Sequence, residues 1–352
     1  MLNQKHLYIF FLILALSLSF FSTSKASAKA FFIKDIEIQE KLENNFNKEK
    51  LINRGFKKAF NILMTKLVQS KDFEKIKNIK LNEIKSMVET FTIKEEKFIN
   101  KTYSLNLGVS FNKKKVFNYL EKRKIFPSQI IEENFLFIPI LLDQSNNDIL
   151  VYSKNPFYEN WNVNNNNYLI TYVLPTEDLD DLNLIRQNYQ EIENYNFEKI
   201  IEKYFLENSI VAIFFRNNKE IKVLSKISIK EDQVIKSYSF KNIDLSNNDD
   251  LKKLISSLKI IYEDFWKENN LINTSIKLPI QVQVDSRNFE LSLKFEETIN
   301  QIDLISEISI IKFDKDFISY ELTFNGTPQN FINIMKEKNF NFDTQNKTWI
   351  LK

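Results

Sequence analysis

Residues 281–351 carry the clearest fold signal, and they read QVQVDSRNFELSLKFEETINQIDLISEISIIKFDKDFISYELTFNGTPQNFINIMKEKNFNFDTQNKTWIL. The alternating segment QVQVDS predicts a strand, and apolar spacing over residues 289–299 predicts a helix. The strands ISEISIIKFD and ISYELTFNG, a helix over residues 328–338 and a last strand TWILK follow. This β-α-β-β-α-β order is that of the ferredoxin-like split motif. It predicts a C-terminal ferredoxin-like domain over residues 273–352.

The N-terminal part predicts a small α+β domain. FFIKDIE, residues 31–37, predicts a strand, and NKEKLINRGFKKAFNILMTKLVQS repeats apolar residues at the three- and four-residue steps of an amphipathic helix. A short helix at residues 81–88, the alternating stretches VETFTIKEEKFIN and TYSLNLGVSF, and a helix at residues 114–124 follow. Because Pro127 marks an exit from this pattern, we assign residues 29–126 to the domain.

The central part predicts an α/β domain with a mixed sheet. FLFIPILLD, residues 135–143, is a continuous apolar run of strand length, which is typical of a strand buried on both faces. The strand YLITYVL, a helix from about Asp178, the strands SIVAIFFR, EIKVLSKISIK and VIKSYSF, and a helix at residues 251–267 follow. We expect two or three layers over residues 127–272. The whole chain is therefore predicted to be an α+β protein in three parts.

Residues 1–28 predict a secretory signal peptide. A polar start with one lysine precedes the apolar run LYIFFLILALSLSFF, and small and polar residues follow. Ala26 and Ala28 provide the small residues that signal peptidase requires, so cleavage is predicted before Lys29 or, alternatively, before Phe31. An uncleaved N-terminal membrane anchor is the other interpretation, since this run approaches the roughly 17 to 25 residues that span a bilayer. Cleavage would place the chain in the periplasm, with no later contact with the membrane.

The residue inventory argues against common kinds of catalysis. The chain has no cysteine, which removes disulfides, thiolate metal sites and cysteine nucleophiles. Its only histidine, His6, lies inside the predicted signal peptide, so the exported chain would lack imidazole for catalytic triads and for zinc or iron sites. The three glycines, Gly55, Gly108 and Gly326, are too far apart for a phosphate-binding loop. We therefore expect no cofactor, no metal and no enzymatic activity.

The charge balance argues against a nucleic-acid partner. The formal net charge is +3, and loss of residues 1–28 would leave 47 of the 49 basic residues against 46 acidic ones, because only Lys5 and Lys25 are removed. The basic cluster of residues 113–115 and 122–124 fits a solvated helix face better than a phosphate or lipid-headgroup site.

One acidic segment offers oxygen ligands for a hard cation. It consists of Glu177, Asp178, Asp180 and Asp181. The same residues stand at the start of a predicted helix, where the macrodipole favours negative charge. Because the segment lacks the glycine and the distal glutamate of an EF-hand loop, helix capping is the favoured interpretation.

The most distinctive local composition is an aromatic segment after the apolar central strand. As an exposed cluster it would bind a peptide, a glycan or a partner subunit, since aromatic side chains concentrate contact energy. Alternatively, the rings pack on the sheet of the central domain, and this interpretation is favoured. The candidate partner-binding residues are Tyr152, Asn155, Pro156, Phe157 and Trp161.

Four segments together resemble an exported proteobacterial family, the domain of unknown function 2066 family. They are FIKDIEIQ…NRGFKKAFNILMTKLV, YSLNLGVSFNKKKVFNYL, LFIPILLD…ILVYSKNPFYENW and YELTFNGTPQNFINIMKEKNFNFDTQNKTWIL. The most specific element is the Asn-Pro-aromatic sequence at residues 155–157 followed by Trp161, whereas Asn53-Arg54 stand where the family is richer in alanine. The resemblance implies a periplasmic or envelope location and supplies no catalytic residues.

These observations predict a non-enzymatic protein of the cell envelope that binds a protein partner. One alternative is a carboxylate-based hydrolase of glycan or peptide, which requires a deep pocket where carboxylates converge. The other is a periplasmic small-ligand sensor, which requires a largely apolar cavity between the central and C-terminal domains.

Overall fold

The computed structural model shows an α+β protein, and its described residues form three β-sheets. The predicted cleavage site at Ala26 and Ala28 lies outside the described residues. Within the described part of the chain, no helix is both long and apolar enough to cross a membrane. The structure describes residues 31–42, 46–144, 146–163 and 168–352.

The N-terminal sheet has the strand order β1-β3-β2, and both pairings are antiparallel. Its elements are β1 (Phe31–Lys41), α1 (Lys48–Leu67), α2 (Leu81–Met87), β2 (Val88–Ile99), β3 (Thr102–Phe111) and α3 (Lys113–Glu121). Asn47 caps α1, since its side chain accepts the backbone N–H of Lys50 at 3.1 Å. The apolar face of α1 is buried, including Leu51, Phe60 and Leu63. The helix and strands predicted here are confirmed, although β1 runs further than predicted.

The central sheet has the order β5-β4-β7-β8-β9, and β6 also pairs with β4. The pairings of β4 with β6 and β7 are parallel and the others are antiparallel, so the sheet is mixed. Its elements are β4 (Glu133–Asp143), β5 (Asp148–Leu150), α4 (Pro156–Asn160), β6 (Ile170–Val173), α5 (Leu179–Gln187), α6 (Glu198–Ile201), β7 (Asn208–Asn217), β8 (Glu220–Ile229), β9 (Asp232–Lys241) and α7 (Asn248–Asn269).

The central strand β4 is buried on both faces, as the sequence predicts. Phe135 and Phe137 lie in the cluster that contains α7, whereas Leu136 and Ile138 lie in a second cluster with α5 and α6. Helices therefore cover both sides of the sheet, and the arrangement has three layers. Each such side chain contributes about 1.5 to 3 kcal/mol to the free energy of folding when fully buried.

The C-terminal sheet has the order β11-β12-β10-β14-β13. Its elements are β10 (Leu278–Asp285), α8 (Phe289–Gln301), β11 (Ile305–Phe313), β12 (Phe317–Phe324), α9 (Pro328–Glu337), β13 (Phe342–Asp343) and β14 (Thr348–Leu351). The strand β10 pairs antiparallel with β12 and parallel with β14, which is the split β-α-β-β-α-β arrangement. The short edge strand β13 is an addition that the sequence does not predict.

The N-terminal and C-terminal sheets share one continuous hydrophobic core. Lys113 reinforces the contact, because its ammonium donates a 3.0 Å hydrogen bond to the carbonyl of Ile302. The central part contacts the N-terminal part through α7, where the buried ammonium of Lys267 donates to the carbonyl of Val68 at 3.1 Å. The division into three domains stays a prediction, since two of the predicted units bury a common set of side chains.

Candidate partner-binding surface

The aromatic segment of the central domain faces the interior of the molecule. Phe157 and Trp161 are fully buried. The ring of Phe157 stacks on Phe214 with 3.7 Å between the ring centroids, and Trp161 stacks on Phe137 at 3.8 Å. Tyr152 is buried as well. These rings therefore form no exposed aromatic surface, and a docking surface has to come from other residues.

Asn155 and Pro156 start the short helix α4. The side-chain oxygen of Asn155 accepts the backbone N–H of Phe157 at 3.0 Å, and its amide nitrogen donates to the carbonyls of Pro139 (3.0 Å) and Leu150 (3.1 Å). Pro156 occupies the first helical turn, where a missing N–H has no cost. In this structure, Asn155 joins the helix to β4 and β5 from a fully buried position.

A buried lysine lies next to these rings, and sequence reasoning missed it. The ammonium of Lys259 on α7 lies 5.8, 5.6 and 5.5 Å from the ring centroids of Trp161, Tyr168 and Tyr172. Burial lowers the pKa of Lys259 from its ordinary 10.5 to about 8. The ring faces attract the cation and offset part of its desolvation. Its burial is hard to predict from the sequence, because a lysine four residues before a glutamate on a helix is typical of an exposed ion pair.

Glu263 follows one turn later on α7 and is also buried. Burial raises the pKa of this carboxyl, whereas the backbone N–H of Ile170, which it accepts at 2.7 Å, acts in the opposite direction. Two polar atoms in the same region, the Trp161 indole nitrogen and the Tyr172 hydroxyl, are buried and have no hydrogen-bond partner in the part of the chain that the structure describes. The α7 side of the central sheet is thus a polar–aromatic core.

The acidic segment at the start of α5 caps that helix. One carboxylate oxygen of Asp178 accepts the backbone N–H groups of Asp180 (2.8 Å) and Asp181 (3.2 Å). The ammonium of Lys203 contacts the carboxylates of Asp181 at 2.6 Å and Asp178 at 3.1 Å. Over the described ranges, no group of three or more potential metal ligands occurs. This geometry agrees with the capping interpretation.

Three of the six basic side chains around α3, those of Lys113, Lys114 and Arg123, contact carboxylates. Two of these ion pairs join Lys114 to Glu307 at 2.6 Å and Arg123 to Glu83 at 3.2 Å. The guanidinium of Arg123 also lies 3.7 Å from the ring centroid of Tyr119. These three side chains therefore make contacts within the chain.

A cavity of about 660 Å³ lies beside β1, α1 and residues 130–132. Charges of both signs line it, and the ammonium of Lys66 contacts the carboxylate of Glu132 there at 2.7 Å. Most of its lining comes from the N-terminal part, and Asp303 of the C-terminal part also contributes. The small-ligand sensor requires instead a largely apolar cavity between the central and C-terminal domains.

The edge strand β11 presents exposed apolar side chains. Ile310, Ile311 and Phe313 are 55%, 49% and 72% exposed. Ile310 pairs with Tyr320 and Phe313 with Ile318 on the neighbouring strand β12, so both lie on the core face of the sheet, and Ile311 is the extra residue of a bulge. Among the described residues, β12 is the sole strand that pairs with β11. The outer edge of β11 is therefore open.

The charges beside this stretch are already paired. The Lys312 ammonium contacts the Asp314 carboxylate at 2.9 Å and holds the pKa of that carboxyl at about 2. Glu307 is paired with Lys114. The open part of β11, residues 309–313, consequently offers backbone groups and apolar side chains with little free charge. We call it the β11 edge.

No protein-family model matches the chain, and the comparison with curated proteins finds no match either. The resemblance to the domain of unknown function 2066 family stays a prediction. The proposal for function therefore rests on the geometry of the described residues.

Proposed function

We propose that this chain is an exported, non-enzymatic protein of the cell envelope that binds an extended segment of a partner protein at the β11 edge. The observation that carries the proposal is the row of exposed apolar side chains, Ile310, Ile311 and Phe313, on a strand with an open outer edge. The partner segment would add to the sheet as a further strand.

In strand addition, the backbone and the side chains of the added segment have different roles. Backbone hydrogen bonds provide affinity, and alternate side chains of the added strand provide specificity. An open apolar edge is costly to maintain, since it also invites aggregation. Burial of Ile310 and Phe313 under the partner segment would contribute up to about 1.5 to 3 kcal/mol for each side chain to the free energy of binding. We expect a partner segment with alternating apolar residues and few charges.

The envelope location rests on separate support. The predicted signal peptide and the family resemblance both favour export. The absence of cysteine, and of histidine outside His6, favours binding over catalysis.

Site-specific photo-crosslinking in the producing cells tests the proposal. A photoreactive amino acid replaces Ile311, and a control replaces Leu179, which is exposed at the start of α5. We expect a discrete protein adduct from position 311 alone, and its loss when Ile310→Lys and Phe313→Lys are added. Absence of an adduct at position 311, equal adducts at both positions, or an adduct that survives both lysines would contradict the proposal.

A further inference from the structure

The two edges of the N-terminal sheet differ in their protection. On β1, Lys58 and Arg54 of α1 donate to the carbonyls of Glu37 (2.9 Å) and Gln39 (3.4 Å). On β2, no side chain of the described residues donates to the backbone between residues 89 and 99, and β3 is the sole paired strand there. One edge is thus covered and the other is open.

The open strand β2 has apolar side chains on its core face. The cross-strand pairs with β3 place Phe91 opposite Val109 and Phe98 opposite Tyr103. Phe91 and Phe98 are nevertheless 45% and 61% exposed, since they lie at the edge of the sheet. The remaining core-face residues of this stretch are Ile93 and Glu96, and the opposite face carries Thr90, Thr92, Glu95, Lys97 and Ile99.

A bulge divides this pattern into two halves. Lys94 is the extra residue between Ile93, which pairs with Leu107, and Glu95, which pairs with Asn106. Bulges and lysines commonly protect edge strands from association. Here the bulge has a second consequence, because it shifts the alternation of faces by one residue at the centre of the strand.

We propose that β2 pairs with β2 of a second copy of this chain, antiparallel, about a two-fold axis between residues 94 and 95. Phe91 then faces Phe98 of the second copy, Ile93 faces Glu96, and Thr92 faces Lys97. Each of these three pairs joins side chains on the same face. In a regular strand, an axis between two adjacent residues would oppose residues of opposite faces, so the bulge is what makes this register possible.

The charges of β2 are self-complementary in this register. Lys94 faces Glu95 of the second copy, and the same contact occurs twice because the interface is isologous. Opposite charges across paired strands are stabilising, and like charges are destabilising. Within the described residues of one copy, these groups make exposed ion pairs, of Lys94 with Asp35 (2.9 Å) and of Glu95 with Lys97 (2.6 Å). Both remain free to gain a further partner.

The central edge strand β9 provides a contrast. Asp232 and Lys241 carry opposite charges at the two ends of β9. In an antiparallel pair of two copies, they would face each other only about a two-fold axis between Lys236 and Ser237. The register of β9 against β8 is regular throughout. That axis would therefore oppose residues of opposite faces, and β9 lacks the symmetry that β2 has.

The result is a six-stranded sheet with the order β1-β3-β2-β2-β3-β1, in which the unprotected edges are covered. The pairing uses the N-terminal sheet and leaves the β11 edge free. It is therefore independent of the proposed partner binding, and a monomeric chain would leave that proposal intact.

Charge reversal tests the register by sedimentation velocity of the purified chain over a range of concentrations. We expect a concentration-dependent dimer, and Lys94→Glu or Glu95→Lys should raise its dissociation constant about tenfold or more, since each change acts twice. The double variant K94E/E95K should restore the dimer. Lys77→Glu, which removes an exposed ion pair with Glu74 away from both edges, is the matched control and should leave the dissociation constant of the dimer unchanged.

Cysteine crosslinking provides a second test, because the chain has no cysteine of its own. A mixture of Thr92→Cys and Lys97→Cys chains should form a disulfide-linked dimer under mild oxidation, and neither variant alone should do so. A monomer at all concentrations, a double variant as weak as the single variants, or equal crosslinking of each variant alone would overturn the proposed pairing.

Discussion

The ammonium of Lys58 donates a 2.9 Å hydrogen bond to the backbone carbonyl of Glu37, so a helix side chain occupies the outer edge of β1. Arg54 contacts the next outward carbonyl, that of Gln39, and the carboxylate of Glu40 at 3.1 Å. Because the edge of β1 is protected in this way, the open edges of β2 and β11 indicate surfaces for strand pairing more strongly. A chain that covers the edge of β1 and leaves those of β2 and β11 exposed has surfaces available for strand pairing.

Removing this protection should promote aggregation. In the variant R54M/K58M, the carbonyls of Glu37 and Gln39 become available to other chains. The loss of three exposed hydrogen bonds lowers the free energy of unfolding by only about 1 to 2 kcal/mol. Light scattering during heating should therefore rise earlier than in the unchanged chain. Lys57→Met, an exposed lysine on the same helix, is the control. Equal scattering from both variants would show that the edge is not protected in this way.

Loss of the hydroxyl group should change the free energy of unfolding in opposite directions at two buried tyrosines. The hydroxyl of Tyr172 has no hydrogen-bond partner among the described residues, so Tyr172→Phe should raise the free energy of unfolding by about 1 kcal/mol. The hydroxyl of Tyr262 lies 2.8 Å from that of Ser225, so Tyr262→Phe should lower it by about 1 kcal/mol. Urea unfolding measures both. A destabilised Tyr172→Phe chain would indicate that the hydroxyl has a polar partner after all.

Asn155 should be important for stability. Asn155→Ala leaves the carbonyls of Pro139 and Leu150 and the N–H of Phe157 without this partner in a buried position, which should lower the free energy of unfolding by about 2 to 4 kcal/mol. Asn247→Ala removes an exposed cap of α7 and should cost about 1 kcal/mol. Similar losses for the two variants in urea unfolding would contradict the buried role of Asn155.

The buried ammonium of Lys259 should make stability depend on pH. Its pKa is about 8 in the folded chain and near its ordinary 10.5 in the unfolded chain. Between these values the unfolded chain binds more protons, so the free energy of unfolding rises as the pH rises. At pH 7 both states are protonated, and the folded chain carries the full cost of burial.

Lys259→Met isolates this contribution from other groups that titrate at high pH. Relative to this variant, the unchanged chain should gain stability on the order of 3 kcal/mol between pH 7 and pH values above 10. Chemical unfolding of both chains at several pH values measures the difference. A constant difference would show that the ammonium is not desolvated.

Much of the fold was predictable because its signals are local. Thr327 accepts the N–H of Asn330 at 3.2 Å and Pro328 follows it, as the sequence of that helix start indicates. Alternating strands and the both-face burial of β4 were predictable for the same reason. The five-residue helix α4 was missed because it is too short for a hydrophobic period, although Asn155-Pro156 is a start signal.

The candidate surfaces were less predictable because they depend on strand order. The sequence ISEISIIKF indicates a strand, and its adjacent isoleucines place apolar groups on a bulge, but only the topology shows that this strand is an edge. The segment around Trp161 allowed two interpretations, and the ring lies in the core, as the favoured packing interpretation expects. Burial of Lys259 likewise arises from tertiary packing against residues about a hundred positions away.

Hydrogen exchange at the β11 edge tests the central claim most directly. The amide groups of residues 309–313 should exchange readily in the purified chain, apart from those that bond to β12. In envelope preparations from the producing cells, the outward amides of this stretch should become protected, and Ile310→Lys with Phe313→Lys should abolish that protection. Unchanged exchange at β11 in the envelope, or protection that persists in the double variant, would contradict partner binding by strand addition.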